Sequence, residues 1–199
     1  MLKNLLKHPF LYESFMNLLG GVKSRKIIIK DYMGLYPGTE LLDLGCGPAE
    51  ILRCMNCKVN YTGIDASEDY INAAQKKFTE QQFIRTTFDS NTKLNGKFDV
   101  VLAIGLIHHL DDETSRNLII NASKVLKDGG KLITFDNVLY KGQGWLNRLI
   151  IKQDRVNYIR NLRNYSRLFP QNSFTEIQFD LREDLLRIPY SHVISICTR

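Results

Sequence analysis

Apolar positions fall into two kinds of pattern along the chain. In the first 33 residues, leucine, isoleucine and phenylalanine recur every three or four positions, a spacing that predicts helices over 4–19 and 22–33. From residue 40 onward, short apolar runs bounded by turn residues alternate with helical spacings. These short runs predict seven strands, over 40–44, 58–64, 83–86, 98–104, 131–136, 174–181 and 192–198.

The order of these elements predicts the fold class. Helices expected from Ala49 onward, over 68–79 and over 113–126 separate most of the first five strands, and such alternation is typical of a parallel sheet covered on both faces. A helical insertion at 143–167 precedes the last two strands, which have no helix between them. We therefore predict an α/β fold: a Rossmann-like, doubly wound, seven-stranded sheet, mostly parallel, with an antiparallel closing strand.

Length and composition favour one globular domain. The chain has 199 residues, 44% of them hydrophobic, and it contains no run approaching the roughly 20 uncharged apolar residues of a membrane span. We divide the single expected domain into amino-terminal helices (1–36), a core (37–138), a helical lid (139–170) and a closing strand pair (171–199). Four cysteines in a chain of this length do not indicate a disulfide framework, and no signal peptide is evident, so we expect a cytoplasmic protein.

The net charge of +6 is unevenly distributed. Residues 37–140 carry 11 basic and 14 acidic side chains, whereas residues 141–170 carry 7 basic side chains and one acid, Asp154. Residues 1–36 add 6 basic and 2 acidic side chains. The basic excess therefore lies in two helical segments, which suits nucleic acid, a membrane surface or an anionic substrate.

A glycine turn follows the first strand of the predicted sheet. In doubly wound sheets ligands bind at this turn, and Gly45 and Gly47 let the backbone approach a ligand that a Cβ atom would exclude. Asp65, twenty residues after Gly45, ends the next strand and can accept hydrogen bonds from ribose hydroxyls. Together they suit an adenosine-containing cofactor.

Two acids near the turn distinguish between such cofactors. A nicotinamide site needs a small residue at the sixth position of the motif, where this chain has Glu50, and Asp43 precedes the first glycine. Carboxylates at these positions disfavour a pyrophosphate. They suit a ligand with an amino group and a positive charge, such as S-adenosylmethionine.

Several motifs, in order, resemble those of the class I S-adenosylmethionine-dependent methyltransferases that act on small molecules. The resemblance covers about residues 38–138 and the closing strand pair, with Ala49 in place of the third glycine that is usual in the first motif. The matching segments are 41–49, 61–67, 88–89, 98–101, 107–110 and 125–132.

The resemblance implies S-adenosylmethionine as cofactor and S-adenosylhomocysteine as product. It implies that Asp43 orders the methionine end, that the turn backbone contacts the cofactor closely, and that Asp65 and Asp89 hold ribose and adenine. The full set of implied cofactor-binding residues is Asp43, Gly45, Cys46, Gly47, Asp65, Ala66, Phe88, Asp89, Ala103 and Ile104.

His108 and His109 follow the fourth strand of the sheet, so either is a candidate general base, because imidazole titrates near neutral pH. The alternative is that both pack against the next helix and lend the pocket a hydrogen bond. Methyl transfer can also proceed by proximity and orientation alone. Cys54 and Cys57 have no second ligand pair at zinc-site spacing, so we expect no metal.

The basic segments bear on the methyl acceptor. Aromatic side chains among the basic residues of 141–167 invite a nucleic-acid interpretation, but residues 103–106 lack the Asn/Asp-Pro-Pro-aromatic motif usual in nucleobase amino-methyltransferases. We favour a basic lid that recognises a small anionic acceptor, methylated at oxygen, nitrogen or carbon. An RNA-modifying enzyme and a non-catalytic cofactor-binding module remain alternatives. Candidate acceptor residues are Tyr140, Arg155, Arg187 and Tyr190.

Overall fold

The computed structural model describes residues 18–94, 96–153 and 158–199. The helix predicted over 4–19 lies almost wholly outside these residues. Five α-helices are described: α1 (Gly21–Ile28), α2 (Glu68–Lys77), α3 (Asp112–Val125), α4 (Trp145–Gln153) and α5 (Leu162–Ser166). A π-helical turn (Ile29–Met33) extends α1, and 3₁₀ turns cover Glu50–Cys54, Ile107–His109 and Gln171–Ser173.

Seven strands form one sheet. They are β1 (Glu40–Leu44), β2 (Asn60–Asp65), β3 (Gln82–Arg85), β4 (Phe98–Ile104), β5 (Leu126–Asn137), β6 (Glu176–Arg182) and β7 (His192–Thr198). Their order is β3-β2-β1-β4-β5-β7-β6; the first five are parallel and β7 runs antiparallel to β5 and β6. The predicted fold class is confirmed.

The fifth strand begins earlier than the sequence predicts. The pairing of β4 with β5 shifts register between Phe98 and Val100, so residues 128–130, whose sequence Asp-Gly-Gly indicates a turn before the strand predicted over 131–136, form a bulge inside the strand. Gly130 fits there because a Cβ atom would lie only 2.9 Å from the carbonyl oxygen of Lys127 and 3.0 Å from that of Phe98. The glycine pair therefore lets β5 begin at Leu126, five residues before the start predicted from the sequence.

Apolar side chains pack on both faces of the sheet. Leu42 and Leu44 of β1 belong to one core layer, with Ile119 of α3 and Tyr165 of α5. Leu41, from the alternate face of the same strand, belongs to the other layer, with α1 and α2 side chains. The strand period of two thus gives β1 two buried faces, as expected for a central parallel strand.

The strand order places the glycine turn. From β1 the sheet extends through β2 on one side and through β4 on the other, so the winding reverses at β1. The loops after β1, β2, β4 and β5 all leave the sheet at its carboxyl edge, where ligands bind in doubly wound folds. No helix among the described residues is long and apolar enough to cross a bilayer.

Candidate cofactor and acceptor site

The backbone of β2 holds the glycine turn. The N–H groups of Gly45 and Cys46 both donate to the carbonyl oxygen of Ile64, at 2.8 and 3.0 Å. Gly45 and Gly47 have φ of +70° and +54°, a left-handed backbone that favours glycine. A Cβ atom at Gly47 would meet no other atom within 4 Å, so this side of the turn is open to a ligand.

Asp65 is attached to the turn from the end of β2. Its Oδ2 accepts the N–H of Gly47 at 2.9 Å and its Oδ1 accepts the N–H of Ser67 at 2.8 Å. A carboxylate oxygen has two acceptor sites, so each oxygen retains capacity for a further donor. The half-buried Asp65 carboxylate is thereby fixed beside the open turn.

Asp43 lies buried at the end of β1. The Tyr61 hydroxyl donates to its Oδ2 at 2.7 Å. Burial raises the pKa of Asp43 from 3.8 to about 7, and the hydrogen bond from Tyr61 opposes part of that rise. Burial also raises the pKa of the neighbouring Cys46 thiol, so the thiol stays protonated. Asp43 therefore has a protonation state that a nearby cation can shift at neutral pH.

The residues after the turn differ from the sequence expectation in one respect. Ala49 has φ of +56°, the one non-glycine residue with a positive φ in the described part of the chain, so it occupies a backbone position that glycine adopts more easily. Glu50 is buried and ion-paired with Lys77 and, at 3.1 Å, with Arg53. Because its charge is compensated, Glu50 gives a weaker reason against a phosphate ligand than the sequence suggested.

The other predicted cofactor residues lie along the same edge. Ala66 is exposed beside Asp65, and Ala103 is buried and Ile104 half-buried at the end of β4. Phe88 packs partly against the core. Asp89 is exposed, and its Oδ1 accepts the N–H of Asn91 at 2.8 Å and the hydroxyl of Thr92 at 3.2 Å, which closes the loop after β3.

A buried carboxylate holds the first histidine. Nδ1 of His108 lies 2.7 Å from Oδ1 of Asp136, the same oxygen accepts the His108 backbone N–H at 3.1 Å, and the Tyr165 hydroxyl donates to Oδ2 at 2.8 Å. Asp136 is fully buried and His108 nearly so. His109 is exposed, with its ring centre 4.4 Å from that of His108. Of the pair, His109 is therefore the accessible side chain.

The helical insertion clamps the histidine loop through Arg160. Its guanidinium is buried; Nη1 donates to the Ile107 carbonyl at 3.1 Å, Nη2 to the Leu110 carbonyl at 2.6 Å and Nε to Asp112 at 2.7 Å. The N–H of Tyr158 also donates to the His108 carbonyl, at 3.3 Å. The Arg160 guanidinium therefore donates its hydrogen bonds to carbonyl and carboxylate groups of the protein itself.

The predicted acceptor residues lie in different parts of the structure. Tyr140 donates to Glu183 at 2.9 Å, and buried Tyr190 accepts from the Asn137 amide at 2.7 Å, both near the carboxyl ends of β5 and β6. Arg187 instead donates to the carbonyls of residues 18 and 19 and shares a cavity of about 480 Å³ with α1. Arg155 lies outside the described residues.

Four residues that matter to this edge receive no individual role from the sequence patterns: Tyr61, Asp136, Arg160 and Glu183. Tyr61 lies in the matching segment 61–67 and Arg160 in the expected lid. One signal for Asp136 was available, because it is an acid inside the apolar run 132–139. The residues described contain no group of three or more His, Cys, Asp or Glu side chains that could hold a metal ion.

Comparison with known proteins finds similarity to methyltransferases. A family described as "Methyltransferase domain" matches residues 41–130. Phosphoethanolamine N-methyltransferase of Triticum aestivum is 25% identical over 176 residues, which cover 83% of this chain and 33% of that protein. Phosphoethanolamine N-methyltransferase 2 of Caenorhabditis elegans is 27% identical over 167 residues, covering 80% of this chain and 38% of that protein. The matched residues thus span between about a third and two fifths of the length of these relatives.

Solved structures share the fold. Magnesium protoporphyrin IX methyltransferase (ChlM) from Synechocystis PCC 6803 with bound SAH matches with a TM-score of 0.66 and 18% identity, covering 90% of this chain and 83% of that chain. A chain of the complex between the Haloferax volcanii Trm112 methyltransferase activator and the putative methyltransferase matches with a TM-score of 0.74 and 14% identity, covering 98% and 96%. Residues 41–130 are thus similar to the methyltransferase domain family, and the fold is that of solved methyltransferase structures.

Proposed function

We propose that this chain transfers a methyl group from S-adenosylmethionine to a small-molecule acceptor and releases S-adenosylhomocysteine. The observation that carries the proposal is the Gly45–Gly47 turn, which is open at Gly47, with the Asp65 carboxylate fixed beside it and Asp43 buried next to it. When bound, the cofactor supplies a methyl group on a positively charged sulfur. The acceptor atom forms the new bond to carbon while the carbon–sulfur bond breaks and its electron pair stays on sulfur.

The residues present fit this cofactor. Asp65 keeps acceptor capacity for ribose hydroxyls, and the turn backbone leaves room where a side chain would intrude. Asp43 offers a carboxylate whose charged form a cationic ligand favours. We assign adenine contacts to Ala66, Phe88 and Asp89, and further cofactor contacts to Cys46, Ala103 and Ile104.

We assign proton acceptance to His109. It is exposed at the carboxyl edge of the sheet, on the loop after β4, whereas the His108 side chain is mostly buried. His108 and Asp136 would then be positioning residues, because the buried carboxylate fixes the ring against which His109 lies. An acceptor hydroxyl or ammonium would lose its proton to His109 as the new bond to carbon forms.

The acceptor we propose is small and anionic. In support, basic residues are concentrated in 1–36 and in 141–170, the segments that we place over the site as lids, and the relatives' names include phosphoethanolamine, a phosphate-bearing amine. Tyr140 and Tyr190 lie at the edge where such a molecule would enter. Arg155 and Arg187 remain candidates for its charge, whereas Arg160 is engaged by protein groups.

A product-release assay tests the proposal. The protein is incubated with S-adenosylmethionine and pools of acceptors, phosphoethanolamine among them, and S-adenosylhomocysteine is measured. We expect turnover with a small anionic acceptor, unchanged by RNase. Turnover that RNase abolishes would indicate an RNA-modifying enzyme, and cofactor binding without turnover on any pool would indicate a non-catalytic module.

A further inference from the structure

The outward face of α4 is apolar and exposed. Trp145 is 78% exposed, Leu146 43% and Leu149 45%, and Trp145 and Leu149 are neighbours at a spacing of four on one helix face. The inward face carries Asn147 and Ile151, which are 4% and 0% exposed. Three large apolar side chains of one short helix are thus presented to solvent together, which marks an interaction site.

A network of hydrogen bonds fixes which face of α4 points outward. The Asn147 amide nitrogen donates to Glu183 at 2.7 Å and to the Ser191 hydroxyl at 2.6 Å, and its carbonyl oxygen accepts the Ser191 N–H at 3.1 Å. The Gln143 amide donates to the same Asn147 oxygen at 2.8 Å. Turning the apolar face inward would break all of these bonds, so the fold itself determines that this face is exposed.

Basic side chains flank the apolar stripe. Arg148 and Lys152 are exposed at a spacing of four and lie beside Trp145 and Leu149 on the helix surface. Residues 141–153 contain no acid. Lys141 and Arg148 also line an open cavity of about 640 Å³ at the start of the helix. Exposed tryptophan and leucine side by side with arginine and lysine are the composition of helices that lie in the interface of an anionic bilayer.

We propose that the outward face of α4 docks the protein on an anionic lipid membrane. Trp145, Leu146 and Leu149 would enter the boundary between headgroups and acyl chains, while Arg148 and Lys152 remain at the phosphates. A bilayer offers both an apolar layer and negative charge at the depth this helix requires. Because Asn147 is bonded to Ser191, immediately before β7, docking brings the carboxyl edge of the sheet toward the lipid.

The tryptophan itself reports on the proposal. Trp145 is the single tryptophan of the chain, so its fluorescence reads this surface alone. The probe is vesicles of phosphatidylcholine with about 30% phosphatidylserine, against pure phosphatidylcholine vesicles, an anionic content chosen to give a strongly negative surface. We expect a blue shift and protection from acrylamide only with the anionic vesicles, both reduced by high salt.

Variants measured by vesicle co-sedimentation separate the two contributions. Each basic residue near an anionic surface is expected to strengthen binding about fivefold, so Arg148→Gln with Lys152→Gln should weaken it by about 25-fold. Trp145→Ala should weaken it on the order of tenfold through lost apolar burial. Lys97→Gln and Tyr36→Ala are matched controls, since both residues are exposed and precede strands at the opposite edge of the sheet. The controls should bind as the wild type does.

Four results would overturn the proposal. Emission that is blue-shifted and protected from acrylamide without vesicles would show that another part of this chain covers the face. A blue shift that grows with protein concentration, together with a dimer in light scattering, would assign the face to a second copy. No change in Trp145 fluorescence with anionic vesicles would show that α4 does not bind the membrane. An equal loss of vesicle binding in the control variants would show that binding does not depend on this face.

Discussion

Asp43→Asn should reverse a pH-dependent weakness of the fold. Burial gives Asp43 a pKa of about 7 against 3.8 for an ordinary aspartate. At about 1.4 kcal/mol for each pKa unit, ionising this buried group costs the folded state about 4 kcal/mol above pH 7. Because the pKa of Asp43 is higher in the folded state than in the unfolded state, the group costs the folded state little at low pH, where it is protonated. The free energy of unfolding of the wild type therefore falls as the pH rises toward 7.

The asparagine variant carries no charge at this position and can still accept the Tyr61 hydroxyl. Its new amide N–H groups add a cost that does not depend on pH, of about 1–3 kcal/mol if they find no acceptor. Urea unfolding of both proteins from pH 5 to pH 8 measures the difference. The free energy of unfolding of the variant should gain about 2.5 kcal/mol on the wild type across this range.

Cofactor affinity supplies the second half of the same test. S-adenosylmethionine should bind the wild type more tightly as the pH rises from 6 to 8, because its positive charge favours ionised Asp43, whereas the variant should bind it weakly at every pH. Unfolding free energies that run parallel for the two proteins over the whole range would refute the burial argument, and equal affinities would remove Asp43 from the cofactor site.

Three further predictions concern the histidine loop and the insertion. His109→Ala should lower turnover at saturating cofactor by about 10²-fold or more, while S-adenosylhomocysteine binding measured by calorimetry is unchanged. Near-normal turnover would show that His109 is not the general base. Asp136→Asn should leave folding intact by circular dichroism but lower turnover less than His109→Ala does, since Asp136 holds the His108 ring against which His109 lies. Arg160→Ala should cost about 3 kcal/mol of unfolding free energy, because buried carbonyls lose their donor, whereas exposed Arg163→Ala should stay within about 0.5 kcal/mol; equal costs would contradict the clamp.

Local patterns in the sequence were sufficient for most of the fold. Periods of two and of three to four residues located the strands and described helices, and the missing helix between the last two strands predicted their antiparallel pairing. The start of β5 was mispredicted because Asp128-Gly129-Gly130 reads locally as a turn, whereas the deciding contact is the close approach of Gly130 to the carbonyl of Phe98 on another strand.

The candidate site divides in the same way. The glycines and Asp65 are linked by a fixed spacing within one strand–turn–helix–strand unit, so a sequence pattern finds them. Asp136 meets His108 across two strands, and Arg160 reaches carbonyls some fifty residues earlier in the chain, at Ile107 and Leu110. Such contacts depend on tertiary packing, which the sequence patterns do not contain. Arg160, expected in a lid over the site, is instead buried and bonded to backbone carbonyls.

Calorimetric titration with S-adenosylhomocysteine tests the central claim most directly, because it requires no knowledge of the acceptor. The wild-type protein should bind at a single site with a dissociation constant below millimolar. Asp65→Ala should weaken binding by about tenfold or more through loss of a charged hydrogen-bond acceptor, whereas Asp128→Ala, on a fully exposed side chain, should not. Absence of binding at millimolar S-adenosylmethionine and S-adenosylhomocysteine, or equal affinity in the Asp65 variant, would contradict the cofactor site described for this protein.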